Sequence, residues 1–576
     1  MNFFTKKINF ILFVIIFLFF NTSINARDVS QKYSKKDISN YFTGVIYMNQ
    51  ADNDYAFKHF NKIKFLKKEH SNFNIQFVRI LVLLDKFDQA YNFLNETWNE
   101  SEYFFESELL LGLHFFLEKD FSKAEKHFKR INTFSNSNSN YNFNFEDFLG
   151  NMMLAWVSSA KGDQENALNI LKKISARYKN LTSVQNSFIK CYFDNNEAEN
   201  DLKKLILEND LNFSRYNYFL ANYLLFHNKK DEAKKIIYNA KQKHGSNLLI
   251  KHTYDFLEKN EIKKIKNFYD CKDPKDSIAE IFYVIANFYS TQKDYKSSNF
   301  FLKISIYLNN KFSPNKTLLA ENFFYQKKYE LSKKTYNSLK SIGPVYSWYA
   351  SLSNAIILSD TEEKNNSIND LEKNFKSLTK PTYEHYYELA NFYKDNKFYK
   401  KSIKYYFLAL KNIEQKNNLV SKIYNRIGTS YERLGEWEKA EKNLKESLKI
   451  SPDQAHTLNY LAYMWVEKEK NIEEALEMLE KAVKLKKNDG YIIDSLGWAH
   501  YVNKNYKDAE KYLQKAVELM PLDPVINDHY ADALWMLEKK MQARYIWSHV
   551  LSFEETEEKL KEDINKKIIF GISKKL

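Results

Sequence analysis

The sequence predicts an all-α solenoid, an array of antiparallel helix pairs in which each pair packs only on its neighbours. Three observations carry this. With 576 residues, the chain is too long for one compact core. It holds only 11 Gly and 7 Pro, too few for a sandwich or barrel, whose turns use those residues every ~8–12 positions. A template also recurs: a small residue, a bulky one three later, Ala or Ser twelve later, and a bulky residue sixteen later.

From the amino terminus, "MNFFTKKINFILFVIIFLFFNTSINARD" places Lys6 and Lys7 before an uncharged apolar run from Phe10 to Phe20, then Ile24-Asn25-Ala26. That layout predicts a secretory signal peptide over residues 1–26, cleaved after Ala26. The run is too short for a bilayer helix, which needs roughly 20 residues; left uncleaved, it would serve as an anchor. No cysteine follows it, so a lipoprotein attachment is not predicted. Exported chains that rely on disulfides use many cysteines, and this one has two, Cys191 and Cys271. Their 80-residue separation exceeds two units of an elongated array, so two buried free thiols are expected.

The small or apolar anchor of the template falls at Gly44, Val78, Gly112, Ala155, Ala221, Ala286, Ala320, Ala390, Gly428, Ala462, Gly497 and Ala531. Its partner twelve or thirteen later falls at Ala56, Ala90, Ala124, Ala167, Ala233, Ser298, Ser332, Ser402, Ala440, Ala475, Ala509 and Ala543. Most anchors are 34 or 35 apart, and the gaps before Ala221, Ala286 and Ala390 are close to two periods. The spacing therefore predicts about 12 recognisable units and about 3 degenerate ones. Between Gly112 and Ala155 the insertion "NTFSNSNSNYNFNFED" predicts an exposed loop. Apolar residues recur at three and four within two runs per unit, separated by polar turns such as "RLGEW" or "VNKNY". Pro344, Pro452 and Pro521 mark places where a helix must stop. Residues 27–380 are read as degenerate repeats, 381–553 as regular ones, and 554–576, with "EETEEKLKED", as a solvated helical tail.

This Gly/Ala, Tyr, Ala, bulky, Ala, Pro spacing resembles the tetratricopeptide repeat over roughly residues 37 to 553. The resemblance implies a right-handed superhelix with a concave groove. From "LNYLAYMWVEKEK" to "NDHYADALW" the chain is similar to bacterial cell-envelope proteins of this family. These include lipoprotein adaptors of carboxyl-terminal processing proteases, although the lipid-anchoring cysteine is missing here.

Chemistry-bearing motifs do not appear. HExxH, CxxC, GxSxG and GxxxxGK[ST] are absent, so a zinc protease, redox domain, serine hydrolase or phosphate loop lacks its key groups. His500 replaces the template aromatic and is read as packed against a neighbouring helix. Asp528, His529 and Asp532 form a weak metal pattern; Asp528, near a helix start, is better explained by exposed amides. The net charge of +14 is spread among interspersed acids, which predicts solvated helix faces rather than a nucleic-acid footprint. No catalytic residue, metal or cofactor is expected.

The resemblance implies that the first helix of each pair faces the groove, with its groove-facing residues three before, one after and four after the anchor, a spacing that makes one helical stripe. They are Tyr387, Asn391 and Lys394; Asn425, Thr429 and Glu432; Asn459, Tyr463 and Val466; Asp494, Trp498 and Tyr501; Asp528, Asp532 and Trp535. Tyr463, Trp498, Tyr501 and Trp535 are the expected anchors for a bound protein segment, with Asn425, Asn459, Asp494 and Asp528 orienting it and Asp532 a further binding residue. The expected function is a non-enzymatic, exported scaffold or adaptor in the periplasm or cell envelope. Its partner would be an envelope protease or assembly machine. Alternatives are an assembly or export factor for outer-membrane or polysaccharide components, and an envelope enzyme with a site in the middle units.

Overall fold

The computed structural model describes residues 33–99, 103–134, 145–208, 214–243, 245, 247–359, 364–414 and 418–572. The leader read at 1–26 and the middle of the polar insertion, 135–144, lie outside them. The described residues hold fourteen antiparallel helix pairs, three further helices and no strand. Nine pairs lie before the division of the chain into two compact units at Ser351/Leu352. They are α1 (Lys35–Asn49) and α2 (Asn53–Phe60), α3 (Ser71–Leu83) and α4 (Phe87–Thr97), α5 (Phe105–Leu117) and α6 (Phe121–Ile131), α7 (Phe145–Ala160) and α8 (Gln164–Lys173), and α9 (Lys179–Tyr192) and α10 (Glu197–Glu208). Then come α11 (Tyr216–Phe226) and α12 (Lys230–Lys243), α13 (Leu248–Glu258) and α14 (Ile262–Lys266), α15 (Pro274–Thr291) and α16 (Tyr295–Leu308), and α17 (Ser313–Tyr325) and α18 (Tyr329–Leu339). Helix α19 (Pro344–Ser359) contains the division, and α20 (Lys364–Ser377) follows it. The second unit continues with α21 (Tyr383–Asp395) and α22 (Tyr399–Asn412), α23 (Leu419–Arg433) and α24 (Trp437–Ile450), α25 (Ala455–Glu467) and α26 (Ile472–Leu485), α27 (Gly490–Val502) and α28 (Tyr506–Leu519), α29 (Pro524–Met536) and α30 (Lys540–Val550), and α31 (Glu558–Phe570). The three expected degenerate units fall at α9 and α10, α13 and α14, and α19 and α20.

The template is a packing rule. All twelve of its Ala or Ser partners are fully buried, and the anchor packs on the bulky residue sixteen later. At Gly112 a Cβ would stand 2.4 Å from the Phe128 ring, and at Gly497 it would stand 2.6 Å from Leu513 Cγ. Only a bare Cα lets the paired helices approach that closely. Serine replaces alanine without leaving a buried hydroxyl unpaired: Ser332 Oγ donates to the Ala320 carbonyl at 2.9 Å, and Ser298 Oγ accepts from Asn322 Nδ2 at 2.7 Å.

The turn inside each pair explains the scarcity of glycine. Among the described residues, one residue of the turn adopts left-handed φ, as at Asp85, Lys119, Lys397 and Lys504 (φ 59, 62, 65 and 62°), and glycine fills this role there only at Gly162 and Gly435. An aspartate following it often caps the second helix: Asp120, Asp163 and Asp294 accept from the amides of Lys123, Asn166 and Ser297. The extra residue before Ala475 is absorbed by two left-handed residues, Glu469 and Asn471.

The first unit curves until its eighth pair meets its second. Phe87 stacks on Tyr307 at 4.0 Å, and Lys303 pairs with Asp85 at 2.6 Å. This curvature corrects the expectation of free thiols. Cys191, at the end of α9, is bonded to Cys271, with Cα atoms 5.9 Å apart. The seventh pair is the cause: α14 has five residues, so the chain after it returns early toward the fifth and sixth pairs. Tyr269 packs on Phe188 and Phe219 at 5.3 and 4.7 Å, and Lys272 Nζ donates to the Tyr192 carbonyl at 2.9 Å. A count of residues per unit assumes full-length helices and misses this return.

His252 sits fully buried among Phe256, Phe268 and Tyr346, with neither ring nitrogen hydrogen-bonded. Burial first, then Lys259 and Lys264, pushes its pKa down to about 3. Between pH ~6.5 and that value the unfolded chain binds a proton that the folded chain refuses, so stability falls as pH falls through this window. From pH 7.5 to 5 the first unit is expected to lose about 2 kcal/mol that His252→Leu does not lose; urea unfolding at both pH values measures it.

Candidate functional site

Five first helices, α21, α23, α25, α27 and α29, carry the expected stripe, and contacts link it from one pair to the next. At its start, the Tyr406 hydroxyl donates to Asn391 Oδ1 at 2.7 Å, and the Arg426 guanidinium lies 5.9 Å from the centre of the Tyr387 ring. Asn425 Nδ2 donates to Thr457 Oγ1 at 2.8 Å. Trp498 Nε1 donates to Glu467 Oε1 at 3.0 Å, tying α27 to α25. Trp498 is sandwiched, with Tyr501 stacked at 4.6 Å and His529 at 4.0 Å.

The polar members are largely engaged inside the molecule. Asp494, 6% exposed, pairs with His529 Nδ1 at 3.0 Å. Burial disfavours the His529 imidazolium, but Asp494, aided by Asp528 and Asp532, more than offsets this and raises its pKa. The stability this pair contributes is complete below the unfolded value near 6.5 and is lost as pH rises through the raised one. His529 is thus a partner for Asp494, and among the described residues no group of three or more His, Cys, Asp or Glu could hold a metal ion.

The end of the stripe is covered by the chain's own tail. Lys567 of α31 places Nζ 2.8 Å from both Asp528 and Asp532, which are 6% and 5% exposed. Trp547 Nε1 donates to Asp532 Oδ1, Trp535 packs on Trp547, and Gly571 lies against the Trp535 indole. Burial and then Asp528 raise the Asp532 pKa, and Lys567 only partly counters them. Two readings change accordingly. The tail is anchored by fully buried Ile564 rather than simply solvated. Asp528 is satisfied by Lys567, while Asp523 is the residue that caps α29.

What stays open is the middle. Tyr463, Trp498 and Tyr501 are half-buried, each presenting part of its ring. Burial, then Glu467 and Asp494, pushes the Tyr463 hydroxyl pKa up, so it remains a neutral hydrogen-bonding group. Beneath them, Asn459 Oδ1 is buried and has no hydrogen-bond partner. His500 stacks parallel on Tyr512 of α28 at 5.4 Å, away from the stripe. The sequence pattern missed Arg426, which lies one position beyond Asn425; aromatic residues at 387 and 406 were its only signal.

Residues 419–488 and 492–523 match family models of the tetratricopeptide repeat. These two segments carry tetratricopeptide repeats. A TPR repeat-containing protein of Pseudomonas aeruginosa is 36% identical over 90 residues, which cover 16% of this chain and 15% of that protein. The chain thus spans about 15% of the length of that curated relative. Among solved structures, the chain is similar to the APC/C hetero-tetramer Cut9–Hcn1 at 13% identity, with 81% of this chain and 97% of that chain covered and a TM-score of 0.36. It is also similar to yeast Tom70, at 16% identity, 81% and 94% coverage and a TM-score of 0.34. With MamA from Desulfovibrio magneticus the corresponding values are 16%, 31% and 99%, and 0.28. These tetratricopeptide repeats form a helical scaffold of the kind that binds protein partners, and no helix among the described residues is long and apolar enough to cross a membrane.

Proposed function

We propose that the protein is a non-enzymatic, exported scaffold that holds a segment of a protein partner against the stripe of its second unit. The observation that carries this reading is the shelf of Tyr463, Trp498 and Tyr501, whose half-exposed rings are held in place by Glu467 and His529. Rigid aromatic surface with hydrogen-bonding rims suits peptide capture, because two-torsion side chains lose little entropy on binding. Asp494, Asp528, Asp532 and Trp535 build and close the shelf. Asn425, held by Thr457, and Asn459, whose Oδ1 is buried, lie beside it and orient the segment through the groups they leave accessible.

The Cys191–Cys271 bond supports the exported part of the reading, since such bonds persist in oxidising compartments. An envelope protease or assembly machine is the class of partner this location would bring. Trp498→Ala with Tyr501→Ala is expected to weaken partner binding by more than tenfold, as loss of two central aromatic anchors does. Calorimetric titration, with circular dichroism to confirm an intact fold, measures the loss. Unchanged affinity in the folded double variant would exclude this shelf.

A further inference from the structure

The eighth pair, where it returns onto the first two, closes off a cavity of about 490 Å³ inside the first unit. Ile75, Arg79 and Leu83 of α3, four residues apart and so on one helical face, line it together with Phe104 and Phe105 at the start of α5. Phe300 and Phe301 of α16 complete its apolar wall. Ile75, Leu83, Phe104 and Phe105 are only half-buried, so an apolar ligand here would remove hydrocarbon and ring surface from water. The polar groups along the wall are largely spent on one another. Arg79 Nε donates to Glu106 Oε1 at 2.6 Å, with Glu106 3% exposed, and Asn299, bonded to Asn322 at 2.9 Å, donates to Gln326 Oε1 at 3.1 Å. Lys296, which also lines the cavity, is the exception. It is exposed, its amine donates to the neutral Asn49 Oδ1 at 3.2 Å, and among the described residues it forms no ion pair. The cavity thus offers an apolar interior and one uncompensated cation.

Its size falls within the ~300–1,000 Å³ of small-molecule sites. Polar pairs already matched to each other would not read the hydroxyls of a sugar or the amides of a peptide, which need open donors and acceptors. A flexible hydrocarbon chain needs only burial. We propose that this cavity takes a fatty acid, its acyl chain lying among Leu83, Phe104, Phe300 and Phe301 and its carboxylate paired with Lys296. The site lies wholly within the first unit, so it goes beyond the function proposed for the stripe of the second.

Displacement of dansyl-undecanoate, read by its fluorescence, measures binding to the full chain below the micelle concentration of each lipid. One site per chain is expected, with affinity rising about fourfold per methylene from decanoate to tetradecanoate and at least tenfold tighter for dodecanoate than for dodecanol. Lys296→Gln should erase the preference for acid over alcohol, and Lys296→Arg should keep it. Leu83→Trp, which fills the cavity, should abolish binding of both; Ile75→Trp takes its place if circular dichroism shows that it does not fold. Trp498→Ala with Tyr501→Ala should change nothing. No displacement, equal affinity at every chain length, an acid preference that survives in Lys296→Gln, or full binding in a folded tryptophan variant would each overturn the proposal. So would loss of binding in the Trp498→Ala, Tyr501→Ala variant, which would move the ligand to the stripe. Phosphatidylglycerol vesicles form the last arm: their capture through Lys296, without uptake of the free acids, would make this a lipid-surface contact and overturn the proposal too.

Discussion

Replacing Cys191 and Cys271 by serine is expected to destabilise the first unit by about 4–5 kcal/mol, the entropy of closing a loop of some 80 residues in the unfolded chain. The bond joins the end of α9 to the segment that the five-residue α14 sends back across the fifth and sixth pairs, so it spans non-neighbouring repeats. In a linear array each unit is stabilised only by its neighbours; here one covalent link fastens three of them. Hydrogen exchange read by mass spectrometry should show faster exchange across α9 to α16 in the double variant, or in the reduced protein. Exchange from α21 to α30 should be unaltered. Equal protection in the variant would mean that the packing of Tyr269 on Phe188 and Phe219 suffices without the bond.

Glu280→Ala should cost about 3–5 kcal/mol, because it leaves a guanidinium that is only 15% exposed without its counter-ion. Glu280, 1% exposed, accepts from Arg215 Nε at 2.8 Å and from the Tyr216 hydroxyl at 3.1 Å, and Arg215 lies over the rings of Tyr216 and Tyr283. The pair links α15 to the start of α11. Burial raises the Glu280 pKa despite Arg215, and its Oε2 has no hydrogen-bond partner, so the pair is strained by desolvation as well as attractive. The double variant Arg215→Met, Glu280→Leu should therefore be more stable than either single variant, since it removes both desolvated charges together. A double-mutant cycle by urea unfolding of the first unit measures this; additive losses would show that the two side chains act independently.

The fold was legible because its period is a steric rule. Gly112 against Phe128 and Gly497 against Leu513 show why a small residue and a bulky one sixteen later must alternate along the chain, and residue types record that contact directly. Long-range return was not legible. Whether Cys191 reaches Cys271 depends on the length of α14, and a lysine-rich run such as "IKKIKN" gives no sign of where a helix ends. The candidate site was legible in position but not in state. The spacing placed Asp494, Asp528 and Asp532 on one face, yet what each carboxylate meets is set by His529 and by Lys567, the latter 35 or 39 residues downstream on α31. Arg426 escaped because it lies beside the stripe in sequence and joins it only by reaching over Tyr387.

The central claim is that the open middle of the stripe, and not the outer surface, meets the partner. Site-specific photo-crosslinking tests it most directly, with a benzophenone amino acid placed at Tyr501 on the shelf and, separately, at exposed Lys515 on α28, in cells that express the full chain. The account predicts a discrete adduct from position 501 that is absent from position 515 and is lost when Trp498→Ala is added. Equal adducts from both positions, or none from 501 in a folded protein, would contradict it.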